Sequence, residues 1–527
     1  MSASRSRVAV GVACALAVIG GCAGGTLPPA DGSAGPSITR SQWPSVSPMV
    51  VATSSATTTP AVIHASPATA GWSSAGTMAV GRTAPHAFLL PDGRVFMVGN
   101  EPGNDIRDDS ATAELWDPAT NAWTPTASLN RPRTALVAAA LPDGRVLVTG
   151  GLDRGPLDPG NDPAYACGAT DAAAFSSTYL YDPATGRWSR AGLLGTARAA
   201  ASGAVLPDGR VLVAGGYYLS RATSRTEGGI DTTLAVYRAP DSAASRLRGD
   251  IVPERFIPAL ATAELFDPGT ATWSPTGPLH YARLGAAAVT LTDGRVLVVG
   301  SQGWTGDLDG AFSADGAASG TAEIYDPRTG RFTLTGDLPD PHPAFRTVFE
   351  AKMGWTSPGS YFPGDEFVTN GVLVALADGG ALLIGNEQGW KHQASLARSF
   401  RFDGRTGQWS EVGTPTADVF NPIEWHSSGY NPLGAAVARL ADGRVLIAGG
   451  SPCPGCGEAK PEARLYDPAS GSWTALPSMP EPRVNATAVA LPDGSALLVG
   501  GFGSDEAGAP CTGSAGSRAA LRFVPAP

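Results

Sequence analysis

Four tryptophans, Trp304, Trp355, Trp390 and Trp425, stand outside every regular pattern of the chain, with Tyr361, Phe362 and Tyr430 and the polar groups of Glu387, Glu424, Asp365, His392 and His426 around them in sequence. Flat apolar rings beside carboxylates and imidazoles are what a carbohydrate site needs: a platform for the sugar face, with hydrogen-bonding groups at its edge. A carboxylate pair such as Glu387 and Glu424, held ~5–10 Å apart in a pocket, would also be able to hydrolyse a glycosidic bond. The competing reading is that the same rings form a satellite core that holds long loops down. Both readings stay open on the sequence.

A second set is regular. Arg82, Arg133, Arg198, Arg283 and Arg483 each stand ten residues before the Asp of a recurring Asp-Gly pair, whereas Val368 and Pro432 fill the two remaining registers. Guanidinium groups at ~10 Å spacing repel by ~0.4 kcal/mol per pair even in water, so they need anions. The internal answer is the Glu of an Ala-Glu-x-x-Asp segment, present as Glu114, Glu264 and Glu323 and replaced by Tyr179, Phe400 and Arg464 elsewhere. The alternative is an acidic ligand over a channel mouth lined by these arginines.

The elements that position such residues are short strands. The 527 residues contain 67 Gly and 45 Pro with only 16% charged residues, a composition for many turns rather than long helices. A net charge of −10 offers no general positive field, so nucleic acid is excluded as an expected partner. The N-terminus has Arg5 and Arg7, an apolar run from Val8 to Ile19, then Gly20-Gly21-Cys22. This is a secretory signal that resembles a bacterial lipobox, with Cys22 as the lipidated first residue. Residues 1–21 are therefore expected as signal peptide and 22–70 as a Ser/Thr/Pro/Ala-rich tether too poor in apolar groups to fold. Residues 71–527 would then face outside the cytoplasm, anchored to the cell membrane.

From residue 72 onward one phrase recurs seven times: apolar strand, Asp-Gly, apolar strand, with the Asp at 92, 143, 208, 293, 378, 442 and 493. Asp-Gly predicts a two-residue hairpin turn with both residues at positive φ. A second phrase follows, an aromatic-Asp pair and another aromatic six residues after the Asp: Asp117/Trp123, Asp182/Trp188, Asp267/Trp273, Asp326/Phe332, Asp403/Trp409 and Asp467/Trp473. The seventh copy is split, Leu521-Arg522-Phe523 supplying its third strand and Trp72-Ser73-Ser74 its fourth, so the two ends should close a ring. The repeated aromatic is expected to fill the space between neighbouring units. With strands a to d in each unit, the short a–b and c–d turns share one face. The insertions 217–261, 302–320, 333–366 and 410–432 share the other, which is where binding surfaces are usually built.

These marks resemble a seven-bladed kelch-type β-propeller, all-β with four-stranded blades, similar to the propeller domain of the galactose oxidase family. That resemblance implies copper ligands eight residues before the a–b turn. Here those positions are Ala84, Ala135, Ala200, Gly285, Asn370, Gly434 and Asn485, and Leu433-Gly434 stands where a Tyr-His dipeptide would be. No metal or other cofactor is therefore expected. The resemblance also implies that Cys453 and Cys456, in Cys-Pro-Gly-Cys, form a short disulfide loop in an exported chain. Whether Cys167 and Cys511 pair stays open. His86, six residues before Asp92, reads as a structural histidine facing inward from strand a. The expected function is a monomeric, non-catalytic binding module for a glycan or an exported protein. The alternatives are a carbohydrate-active enzyme on the same face and an oxidase of altered ligand set.

Overall fold

The structure, a computed structural model, describes residues 70–99, 111–154, 172–217, 259–283, 285–300, 321–339, 367–388, 395–413, 434–450, 459–503 and 516–526. Seven four-stranded antiparallel sheets form the expected seven-bladed propeller. The first blade runs through His86–Leu89, Val95–Val98, Ala113–Asp117 and Ala122–Thr126 as strands a, b, c and d. Blades two to six repeat this order, starting at Val137–Ala140, Ser202–Val205, Ala287–Thr290, Phe367–Ala375 and Ala436–Arg439. The seventh has Val484–Ala490, Ala496–Phe502 and Ser517–Val524, with Gly71–Arg82 from the other end of the chain as strand d. The pairing Trp72↔Phe523 closes the ring in the register read from the sequence.

The core lies in the seams between blades. Strand b is buried along its whole length, as in Val95–Val98, Val146–Thr149 and Val211–Ala214, because it packs on a neighbouring sheet on each side. Its side chains alternate between the two seams: Phe96 and Val98 meet Leu136 and Tyr181 of the second blade, while Val95 and Met97 meet Val489 and Leu497 of the seventh. The repeated aromatic closes each seam from outside, as expected. Trp188 lies 5.2 Å from Tyr181 of its own blade and 6.0 Å from Phe96 of the preceding one. Its indole N–H donates to the Ala127 carbonyl at 2.7 Å, and Trp123 and Trp72 reach back in the same way to Ala75 and Pro477.

The hairpins are where expected, but the turn type is a correction. Gly93 N–H donates to Leu90 and Leu90 N–H to the Arg94 carbonyl, and of the turn residues only Gly93 has positive φ. The loop therefore has three residues, Pro91-Asp92-Gly93, a type I turn followed by a left-handed glycine. Pro91 presets the first turn position and leaves Asp92 an ordinary negative φ.

Asp92 then holds Arg94, and the pairs Asp143/Arg145, Asp208/Arg210, Asp293/Arg295 and Asp442/Arg444 repeat this at 2.6–2.7 Å. Arg94, Arg145, Arg295 and Arg444 also donate to the carbonyls of Pro183, Pro268, Gly404 and Ala526, each on the next blade. The tight-turn face is thus laced from blade to blade. The strand ends from which the long connections leave are on the opposite face, and in the second blade one such end carries an added hairpin, Leu152–Arg154 with Ala172–Ala174, that the sequence reading did not foresee.

Replacing Trp188 with Ala should lower the unfolding free energy by ~3–5 kcal/mol in a urea titration. Trp188→Phe, which keeps the ring contacts and loses one hydrogen bond, should cost about 1 kcal/mol.

Candidate functional site

The long-loop face is the candidate site, and its described part is built on the arginine ring. Arg82, Arg133, Arg198, Arg283 and Arg483 are all buried, at 0–1% exposure. In each, Nη1 donates to the carbonyl of a glycine seventeen residues on: Gly99, Gly150, Gly215, Gly300 and Gly500, at 2.8–3.1 Å. The same Nη1 reaches a carbonyl at the start of strand c, on Thr112, Ser177, Thr262 and Thr321, or within it, on Ala519. Glu114, Glu264 and Glu323 receive the guanidinium groups of Arg82, Arg198 and Arg283 at 3.1, 2.7 and 3.0 Å. Each carboxylate also accepts two successive backbone N–H groups of the d–a connection, Ala79 and Val80, Gly195 and Thr196, or His280 and Tyr281. Burial pushes the Arg198 and Arg283 guanidinium groups down in pKa, and the facing carboxylates oppose that shift.

The two remaining arginines find other partners. Arg133 lies over the Phe175 ring at 4.2 Å and near Tyr179 at 5.3 Å, a cation–π arrangement where the first, third and fourth blades have Glu. Arg483 pairs with Glu481 at 2.9 Å. The glutamates read from the sequence thus take up three of the five arginines, and Glu481 and the aromatic rings of Phe175 and Tyr179 take up the other two.

The arginine backbone joins the blades. The second glycine of a Gly-Gly pair, Gly151, Gly216 or Gly450, donates its N–H to the carbonyl of Arg198, Arg283 or Arg483 on the following blade. The first glycine is needed because a Cβ at Gly150, Gly215 or Gly449 would collide with that same carbonyl. Two residues further on, Ala84, Ala135, Ala200, Gly285, Gly434 and Asn485 all have φ between 45° and 68°. They too are linked across blades: Ala84 N–H to Asn485 O, Ala200 to Ala135, Gly285 to Ala200, and Asn485 to Gly434, at 2.6–2.8 Å.

These are positions to which the resemblance assigns copper ligands. Methyl groups, glycine hydrogens and one carboxamide are not a copper donor set, which draws on imidazole and sulfur or phenolate oxygen. At this register the backbone is taken up in joining blades, so no chemistry is routed through a metal here. Among the described residues, no three His, Cys, Asp or Glu side chains converge as a metal site.

One side chain on this face exceeds what the scaffold requires. Three residues before the ring arginine, where other blades have Ala79 or Gly195, the fourth blade has His280. Its Nδ1 lies 2.9 Å from Oε2 of the buried Glu323, while the side chain stays 46% exposed. The carboxylate at Nδ1 fixes the orientation of this partly exposed ring and favours the tautomer whose acceptor is Nε2. Register comparison between the repeats would have singled out His280.

His86 behaves as the structural reading expected in being held within the fold, but its setting is a seam. It shares a side of its strand with Phe88, which packs in the core of blades one and two. Its Nε2 is buried without a hydrogen-bond partner, and burial pushes its pKa down to about 4.

Glu387 lies on strand b of the fifth blade, paired with Val368 and Leu396. Trp304, Trp355, Trp390, Trp425, Tyr361, Phe362, Tyr430, His392, His426, Glu424 and Asp365 lie outside the described residues, as do Cys22, Cys167, Cys453, Cys456 and Cys511.

Two outcomes follow from this geometry. Glu264→Gln leaves Arg198 buried without its counter-charge and should cost ~3–5 kcal/mol in chemical denaturation, against about 1 kcal/mol for the half-buried Arg94→Ala. His86 is neutral in the fold down to about pH 4 but takes a proton at about 6.5 when unfolded. Stability is therefore fully present above pH 6.5 and falls as pH drops towards 4. His86→Gln should flatten the melting temperature across that window. The further loss below about pH 4, where the depressed Asp92, Asp143 and Asp208 carboxylates protonate, should remain.

No family model matches the chain. Two galactose oxidase sequences of Gibberella zeae, one of them from strain PH-1, are each 28% identical to it over 211 residues, 40% of this chain and 23% of theirs. The chain thus matches about a quarter of the length of these curated relatives. Among solved structures, a fungal alcohol oxidase of the AA5 family, described as in complex with copper, superposes with a TM-score of 0.53 at 17% identity, covering 87% of this chain and 77% of that one. Taken with the seven closed blades, these likenesses show a β-propeller fold similar to that of these oxidases.

Proposed function

We propose that this chain is an exported, lipid-anchored propeller whose long-loop face is a non-catalytic binding surface for a glycan or an exported protein. The observation that carries the reading is the ring of Ala84, Ala135, Ala200, Gly285, Gly434 and Asn485. Where the resemblance places redox ligands, this chain has short side chains and uses the backbone to join blades. The opposite face is occupied by its own Asp–Arg lacing, which leaves the long connections as the variable surface. His280, held by Glu323 with Nε2 as its acceptor, is suited to accept a hydrogen bond from a ligand hydroxyl there. Anchoring would be through Cys22, at the end of a tether that keeps the propeller clear of the bilayer.

The same oriented imidazole favours a second reading, hydrolysis of a glycosidic bond with a carboxylate such as Glu387 or Glu424 on that face.

A glycan array probed with the Cys22→Ser chain tests the first reading. Saturable binding that His280→Ala weakens about tenfold, without lowering the melting temperature, is the expected result. No glycan signal together with a specific exported protein recovered by pull-down would move the assignment from sugar to protein. Release of reducing ends from a bound oligosaccharide would establish the second reading instead. Cys22→Ser should shift the chain from the membrane to the soluble fraction; unchanged membrane recovery would remove the lipid anchor.

A further inference from the structure

The a strands of successive blades contact one another all the way round, so the side of these strands that meets solvent faces the central channel. At the tight-turn end the channel is bordered by the residue three before each turn Asp. Six of these are uncharged and half-buried, Leu89, Ala140, Val205, Thr290, Ala375 and Ala490. The sixth blade has Arg439 there, and it is exposed. The ring two residues deeper is Ala, Gly, Leu or Val throughout.

The repeat shows what Arg439 adds. Its Nη1 donates to the Ala375 carbonyl of the fifth blade at 3.0 Å. Thr290, in the same register, donates its hydroxyl to the Val205 carbonyl of the third blade at 2.6 Å, so one hydroxyl is enough to tie neighbouring a strands here. The guanidinium group brings a positive charge and further N–H donors that the bridge does not use. Among the described residues no carboxylate pairs with it. The turn carboxylates on either side are committed elsewhere, Asp442 to Arg444 and Asp378 to Arg401. All seven turn carboxylates at this end are matched in that way, five by the arginine two residues on, and Asp378 and Asp493 by Arg401 and Arg522 of strand c. Among the described residues of the channel wall the one unmatched charge is therefore positive, at an end where every a–b turn is described.

We propose that the tight-turn mouth of the channel binds a small carboxylate carried on an apolar body. The carboxylate would accept from Nε and Nη2 of Arg439, which the bridge to Ala375 leaves unused, a planar pairing that guanidinium favours. The apolar body would lie along the deeper ring beside Leu373 and Val437, gaining by leaving water. Neither ring holds a second cation, and the Thr290 proton is spent on Val205, so one negative charge is matched and a dianion is not. The site is at the other end of the channel from the strand ends that carry the long connections, and it is independent of what those connections bind.

Ligand-observed NMR titration of the full chain with hexanoate tests it, with hexanamide as the uncharged isostere and acetate as the carboxylate without a body. The expected result is saturable binding of hexanoate, about tenfold tighter than either control. Arg439→Thr keeps a hydroxyl for the bridge, as in the fourth blade, and removes the charge; it should weaken hexanoate about tenfold while the melting temperature holds. Arg439→Leu, which installs the residue of the first blade, should weaken binding alike. Arg405→Ala, on an exposed c–d turn of the same face, should leave the affinity unchanged. The proposal fails if hexanoate does not saturate, if hexanamide or acetate binds as tightly, if neither Arg439 variant lowers the affinity, or if Arg405→Ala lowers it as much.

Discussion

One residue, repeated, holds the disc together: an arginine whose carbonyl receives an N–H from the preceding blade while its guanidinium group is buried in its own. A guanidinium group out of water is tolerable only if its donors are met, and here backbone carbonyls, a carboxylate or an aromatic face meet them. The consequence is geometric. Because Arg283 must place its carbonyl against Gly216 and its Nη1 against Gly300, the third and fourth blades have one permitted relation to each other. The Gly-Gly pair, the left-handed alanines and the Glu on strand c all follow from that requirement. Each clears space for the arginine, turns the chain past it or neutralises it.

The lacing is not uniform. Wherever a Gly-Gly pair ends strand b, at 150–151, 215–216, 449–450 and 500–501, the next blade carries the arginine. After Gly300-Ser301 and Gly385-Asn386 the next blades have Val368 and Pro432 instead. At the same sector the buried indole N–H groups of Trp409 and Trp473 have no hydrogen-bond partner, whereas those of Trp72, Trp123 and Trp188 do. The fourth to sixth blades also carry the connections richest in aromatic residues. The arginine is missing where the insertions 333–366 and 410–432 lead into strand a, whereas 217–261, between strands b and c, leaves Arg198, Glu264 and Arg283 in place.

Much of the fold was legible because it is written seven times. The Asp-Gly register, the aromatic six residues past the second Asp and the ring-closing pair Trp72 and Phe523 needed only counting and alternation. Pairing of Arg82, Arg198 and Arg283 with Glu114, Glu264 and Glu323 was equally open to charge reasoning. The turn type was misread because Asp-Gly was weighed as a two-residue loop, whereas the residue before it, Pro91 in the first copy and Thr292, Ala377 or Ala441 in others, belongs to the turn as well. Tyr179 as a partner for Arg133 was invisible to a search for anions, and His280 and Arg439 emerge only when each blade is compared position by position with its sisters. The aromatic loop residues have no repeat register, so periodicity carries no information about where their side chains meet.

The seventh blade, made of three strands from one end of the chain and one from the other, sets the order of assembly. Strand Gly71–Arg82 reaches its partner Ser517–Val524 only when the last strand has left the ribosome, since synthesis runs from the N-terminus. Until then the strand has no sheet to join, and the first blade's seam is open on the side that Val489 and Leu497 will cover. The disc therefore cannot ratchet shut blade by blade as it emerges. Its final, cooperative step waits for the whole chain, so a chain truncated late in synthesis would present two open sheet edges rather than a smaller stable domain.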